Sequence, residues 1–290
     1  LIKFGYNKDK NLSFSIQTNG SIFNYKILDI VQTYKVKLSL SLDGLPEQHD
    51  FLRPFKDGKN SFFVIEKNIN KIKKIQPLFI NTVVTEKNLN LLEIAKFYEK
   101  IGCTAVQFVP MVPFGRGRDN SYLLPKPNEL LAAMIKLYDA AINDELQIQI
   151  RNVTRDLSIF FYSKGNACTF CIDDGKRQPL LAIDIDGSIY PCDWYWRRQD
   201  VNLGNVFSTS FLEALNSKKN FRVKPRLGES CKHCIWKRFC NGGCEIEKEV
   251  FGGKSYYCEY YKGIFNYWAR KIPILYEQNK LERFLNTISF

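Results

Sequence analysis

Short apolar runs recur through the first half of the chain, at residues 13–17, 36–42, 78–84 and 106–109. Each is nearly continuously apolar, the pattern of strands in a parallel sheet covered on both faces. Between the runs, the apolar positions change to a helical period. Residues 88–101 place Leu91, Ile94, Ala95, Tyr98 and Ile101 on one stripe, and Gly102 follows where a left-handed C′ residue would stand. A second helical pattern, 61–74, carries Phe63, Ile65, Ile69 and Ile72. This alternation predicts βα units and a parallel sheet or barrel. In such folds binding groups gather where strands end, here at Gln17-Thr18-Asn19-Gly20 and Ser41-Leu42-Asp43-Gly44. Residues 110–127 read as a loop, with a helix expected over 128–143 and a short strand over 147–150. Beyond about residue 165 the elements shorten and aromatic residues crowd in. Residues 261–277 read as a helix that Pro273 ends or kinks.

The second half also holds the candidate chemistry. Of nine cysteines, all but Cys103 lie from residue 168 onward. Their spacing is Cys168-x2-Cys171, Cys192, Cys231-x2-Cys234-x5-Cys240-x3-Cys244 and Cys258. A CxxC pair puts two thiolates close enough to share a metal or a cluster edge, and eight ligands make two sets of four. Disulfides are disfavoured, because the chain opens on nothing like a secretory signal and its apolar content needs no staples. Spacing alone leaves structural zinc and iron–sulfur clusters both open. Cys103, just ahead of a strand, reads as a small core residue.

Composition narrows the rest. With 45% apolar and 14% aromatic residues, a chain of 290 can bury one sizeable core or two smaller ones. No apolar run approaches the roughly 18 residues that span a bilayer, so no membrane is expected. The formal charge of +12 would suit nucleic acid, but the lysines are scattered among Glu and Asp and no basic helix stands out. Nucleic acid is therefore not expected. Two clusters of net charge about −2 each would bring the protein to roughly +8.

Cys171-x15-Gly187-x4-Cys192, the following CxxC-x5-C-x3-C and the last cysteine resemble the SPASM domain of radical S-adenosylmethionine (SAM) enzymes. The resemblance implies two auxiliary [4Fe–4S] clusters with crossing ligands. Cys171, Cys192 and Cys244 would serve the first, with Cys168 as its fourth ligand, a position some subfamilies leave open. Cys231, Cys234, Cys240 and Cys258 would serve the second. Upstream, QTNG at 17–20 and SLDG at 41–44 look like the third and fourth strand ends of the radical SAM barrel. Ser41 matches a residue that holds the amino-acid end of SAM, and Arg53 the partner of its carboxylate, a pairing that suits a guanidinium fork. The implied fold is α/β: a partial (β/α)6 radical SAM barrel over 1–152, a SPASM domain over 153–262 and a C-terminal helical segment over 263–290.

Radical SAM chemistry also needs a third [4Fe–4S] cluster, held by CxxxCxxC after the first strand, and the family has a GGEP-like segment after the second. Neither motif is in this sequence, and Leu1 is not an initiating Met. Two βα units, at least roughly 60 residues, are therefore expected ahead of Leu1 in a longer enzyme, the alternative being a degenerate homologue that kept only its auxiliary clusters; the chain alone is expected not to cleave SAM.

Gly187-Ser188-Ile189-Tyr190-Pro191-Cys192-Asp193-Trp194-Tyr195, with Leu203-Gly204-Asn205-Val206, resembles the anaerobic sulfatase-maturating enzymes. These oxidise a sulfatase Cys or Ser to formylglycine, and Asp193 stands where they carry the base that takes the substrate's thiol or hydroxyl proton. Asn241-Gly242-Gly243-Cys244 and Tyr256-Tyr257-Cys258 look like the same group. By contrast, Pro110 to Arg118 looks more like the SPASM peptide maturases that form thioether or carbon–carbon crosslinks. A third reading, from another class, is a non-catalytic electron-transfer or peptide-binding protein. The implied partners are a peptide or protein substrate and a reducing donor such as flavodoxin or ferredoxin. Oxygen-labile clusters imply the cytoplasm of an anaerobe.

Overall fold

The apolar runs of the first half pair with one another in chain order. β1 (Ser15–Thr18), β2 (Lys37–Ser41), β3 (Leu78–Val84), β4 (Cys103–Pro110) and β5 (Gln149–Ile150) form one sheet whose neighbours are all parallel. The structure, a computed structural model, describes residues 12–114, 116–162, 181–217, 227–240 and 242–287. It divides into two compact units, Leu1–Val153 and Thr154–Phe290. Parallel neighbours need crossovers, and crossovers are right-handed. A strand order without reversal therefore keeps the helices on one face and curls the sheet towards a barrel. A doubly wound sheet would reverse its order at a switch point. The α/β partial barrel expected from the sequence is the fold found.

The helices of this unit are α1 (Tyr25–Thr33), α2 (Pro46–Leu52), α3 (Phe62–Ile72), α4 (Leu91–Lys100), α5 (Arg116–Asp119) and α6 (Pro127–Ile142). The core takes Leu38, Leu40, Ile80, Val84, Val106 and Phe108 from strands and Ile65, Ile69, Ile94 and Tyr98 from helices. Each such side chain contributes about 1.5–3 kcal/mol when fully buried. In α3 the buried stripe is Phe62, Ile65, Ile69 and Ile72, while Phe63 is 62% exposed with Lys67 over its ring. The 3.6-residue period selects Phe62 over the neighbour expected from sequence. β1 departs from expectation too. Ser15, Ile16 and Gln17 are exposed, because β1 is paired on one side only among the described residues. Cys103 opens β4 instead of preceding it, and its buried thiol donates to the carbonyls of Leu78 and Ala105. The expected 110–127 loop holds α5 and a 3₁₀ turn, Ser121–Leu123.

α7 (Arg151–Tyr162) follows β5. In the second unit β6 (Ala182–Ile183), β7 (Ser188–Tyr190) and β8 (Gly204–Asn205) form a small antiparallel sheet. Ile189 and Leu203 pack there with Ala214 of α8 (Phe211–Asn216). Short helices follow: α9 (Glu229–Lys232), α10 (Lys237–Cys240) and α11 (Glu245–Val250), then the long α12 (Cys258–Glu277) and α13 (Leu281–Leu285). A second apolar cluster joins Ile159 and Phe265 to Phe160, Trp236, Phe239 and Tyr261. Pro273 does not end α12. The helix forgoes one backbone hydrogen bond and runs on to Glu277, with Leu275 buried beyond the proline. Among the described residues, no helix is long and apolar enough to cross a membrane.

Candidate cofactor and cluster sites

The loop that follows β2 is held from several directions. The Leu42 carbonyl accepts from the Thr82 hydroxyl at 2.8 Å and from the Tyr98 hydroxyl at 2.7 Å, and the Gly44 N–H donates to Tyr98 at 2.9 Å. Tyr98 is fully buried, and burial raises its phenol far above the ordinary value. Gly44 has φ +105°, and a Cβ there would stand 2.5 Å from Gln48 Oε1, so the turn requires glycine. Asp43 is buried within this loop. Its Oδ1 accepts from the Val83 N–H at 2.8 Å, and its Oδ2 pairs with Arg53 Nε. The Asp43 N–H donates to His49 Nδ1 at 3.1 Å, which places the proton of a neutral imidazole on Nε2. Burial lowers the pKa of His49 and so favours that neutral form.

Arg53 caps the end of α2 with its side chain 32% exposed. Its backbone is fixed by the Ser61 hydroxyl, which donates to the Arg53 carbonyl at 2.8 Å. Asp50 accepts from the N–H groups of Ser61 and Phe62 and so caps α3 from outside. Among the described residues, neither terminal nitrogen of the guanidinium makes a hydrogen bond. Ser41, at the end of β2, accepts from Gln17 Nε2 at 3.2 Å, and its own hydroxyl proton has no acceptor among the described residues. A buried hydroxyl and an open guanidinium fork, both with protons to give, suit an anionic group such as a carboxylate.

In the second unit, tight turns bring four distant thiols to one cavity. Cys231, Cys234, Cys240 and Cys258 line it, with Lys237 and Lys262 beside them. The Cys234 N–H donates to the Cys231 carbonyl, and that of Cys240 to Trp236. The segment from Gly242 to Ser255 then folds back to deliver Cys258. The Ser255 N–H reaches the Gly242 carbonyl at 3.0 Å, and a Cβ on Gly243 would lie 2.5 Å from the Ser255 Cβ. Ser255 Oγ donates to buried Glu247 and accepts from the Tyr257 N–H at 3.0 Å. Burial pushes the Glu247 carboxyl up to about 7, and the Cys240 thiol up to about 12. A bound metal would deprotonate such a thiol outright.

This donor set fits a cluster. Four thiols lining one cavity are the four thiolates that a [4Fe–4S] cluster takes. The two lysines would offset the negative charge of a thiolate-bound cluster. The grouping of these four cysteines is the one the resemblance implies. Of the other set, Cys168 and Cys171 lie outside the described residues.

Cys192 and Cys244 are described. The Cys192 sulfur accepts from the Trp194 N–H at 3.3 Å and starts the 3₁₀ turn Asp193–Tyr195, while Cys244 caps α11. Arg198, five residues past Asp193, pairs with Asp200 and Glu249 instead. That second pair ties the Cys192 turn to α11. Arg197 lies over the Trp196 ring at 4.2 Å. Asp193 itself is exposed, and among the described residues its carboxylate makes no hydrogen bond or ion pair. Neither arginine pairs with it.

The SPASM iron–sulfur cluster-binding domain matches residues 168–235. A cysteine-type anaerobic sulfatase-maturating enzyme of Clostridium novyi is 30% identical over 269 residues, covering 88% of this chain and 71% of the relative. A serine-type enzyme of Bacteroides thetaiotaomicron is 24% identical, covering 93% and 70%. The solved structure of anSMEcpe with bound AdoMet and a peptide superposes with a TM-score of 0.80 at 24% identity, covering 95% of this chain and 79% of that one. The domain match carries iron–sulfur binding, and the shared sequence over most of both chains carries the ancestry: the chain belongs to the anaerobic sulfatase-maturating enzymes, a family of radical SAM enzymes.

Proposed function

We propose that the holoenzyme oxidises an active-site residue of a sulfatase to formylglycine, with Asp193 as the base that takes the substrate's thiol or hydroxyl proton. The observation that carries this reading is the exposed, unpaired Asp193 carboxylate directly after Cys192. A carboxylate so placed can accept a proton without first breaking an ion pair. SAM, cleaved at a [4Fe–4S] cluster with an electron from a donor such as flavodoxin or ferredoxin, supplies the radical that removes a Cβ hydrogen. Ser41 and Arg53 hold the amino-acid end of SAM. Cys231, Cys234, Cys240 and Cys258 would hold one auxiliary cluster, and Cys168, Cys171, Cys192 and Cys244 the other; such a cluster would supply the acceptor for the second electron. Loss of a hydrogen atom, a proton and an electron is a two-electron oxidation. With serine it yields the aldehyde directly; with cysteine, water replaces the sulfur, which leaves as sulfide.

The substrate is read as a peptide segment, since anSMEcpe was solved with one bound. Cysteine is the first choice of target, because the cysteine-type relative shares more identity than the serine-type one. Under reducing, anaerobic conditions with SAM, the holoenzyme is expected to convert a sulfatase-derived peptide with a C-x-P-x-R core to its aldehyde. Mass spectrometry after hydrazide trapping reads the product. A peptide closed by a thioether bond would instead place the protein among the crosslinking maturases.

A further inference from the structure

The reading of Arg53 as the carboxylate partner of SAM leaves open what aims its guanidinium. An arginine at a helix end has four rotatable side-chain bonds, and a partly exposed fork would lose much of its freedom on binding. Asp43 removes that freedom in advance. Its carboxylate is only 5% exposed and has each oxygen committed, Oδ1 to the Val83 N–H of β3 and Oδ2 to Arg53 Nε. Its backbone is pinned in turn, since the Asp43 N–H donates to buried His49 and the adjoining Leu42 carbonyl and Gly44 N–H are bound by Tyr98. The pair uses only Nε. Among the described residues both terminal nitrogens stay open, which is the face of the fork that takes a carboxylate bidentately.

We propose that Asp43 is a positioning residue that holds Arg53 by Nε so that its terminal nitrogens face the carboxylate of SAM. This rests on the assignment of Arg53 above. Asp43 touches no ligand; it acts through the arginine. The carboxylate is needed because two donors, the Val83 N–H and Arg53 Nε–H, approach it at once. An asparagine offers one acceptor oxygen and an NH₂. With its oxygen kept on the buried Val83 N–H, the NH₂ would face Arg53 Nε donor to donor and release the side chain.

The test measures equilibrium binding of SAM and of decarboxylated SAM to the anaerobically reconstituted holoenzyme. Arg53→Ala should weaken SAM and leave the decarboxylated analogue unchanged. Asp43→Asn should do the same, lowering SAM affinity about tenfold with no effect on the analogue. Combined with Arg53→Ala it should add nothing further. A general disturbance of the loop would weaken both ligands alike, and that result would overturn the proposal. So would an Asp43→Asn protein that keeps its preference for SAM while Arg53→Ala loses it; the Arg53 assignment would then stand alone. If Arg53→Ala spares the preference, the assignment itself fails, and the proposal with it. Should Asp43→Asn not accumulate as folded protein, Arg53→Lys decides. Asp43 should capture the lysine ammonium and abolish the preference as fully as alanine does, and retained preference would overturn the proposal.

Discussion

Asp193→Asn is expected to leave SAM cleavage intact and to slow aldehyde formation by about 10²–10⁴-fold, the usual contribution of a positioned base. The two readouts separate because they depend on different parts of the chain. On the proposed assignment cleavage draws on SAM held by Ser41 and Arg53, whereas aldehyde formation also needs the substrate to lose a proton. Asparagine has nearly the shape of aspartate. The turn it sits in is made by backbone bonds, from the Tyr195 N–H to the Cys192 carbonyl and from the Trp196 N–H to that of residue 193. The exposed side chain braces nothing, so the substitution should cost little stability. In an anaerobic assay, 5′-deoxyadenosine should therefore accumulate while the peptide returns largely unoxidised. Aldehyde at the normal rate would show that the proton leaves by another route.

Cys240→Ser should cost about four irons per chain, since a cubane that loses a thiolate from a four-cysteine set is rarely retained. Cys103→Ser provides the contrast. Both thiols are pushed up to about 12 by burial, but Cys103 lies in the sheet core, donating to carbonyls, while Cys240 faces three other cysteines across a cavity. The first substitution should lower iron and sulfide together and remove part of the visible absorbance; the second should lower the melting temperature and leave iron unchanged. The loss at Cys240 should also destabilise its unit, because metal-binding free energy is folding free energy for short elements that converge on a cluster. Zinc in place of iron in the anaerobically purified protein would overturn the cluster assignment.

Much of the sheet was legible in the sequence, because strands buried on both faces write themselves as continuous apolar runs. Leu78–Val84 is such a run and is β3 to the residue. β1 reads similarly but is exposed, since its burial depends on a partner that its own sequence does not carry. Phe62 and Phe63 are equally apolar, and only the helical register separates them. The cysteine spacings announce pairs of ligands. That Cys258 closes the set with Cys231, Cys234 and Cys240 depends on Gly243 packing against Ser255 and on the Glu247–Ser255 bond. Neither Glu247 nor Ser255 carries a local signal. Asp43 stood in plain view within SLDG, but its partners lie 10 residues away on α2's end and 40 away on β3, distances that no local pattern reports.

A substrate peptide deuterated at Cβ of the target cysteine decides whether the proposed radical oxidation of a sulfatase residue takes place at Cβ. The holoenzyme should transfer one deuterium to 5′-deoxyadenosine, and the same peptide should emerge as the aldehyde with its remaining deuterium in place. Deuterium that stays wholly in the peptide, or a product crosslinked through sulfur, would rule that chemistry out.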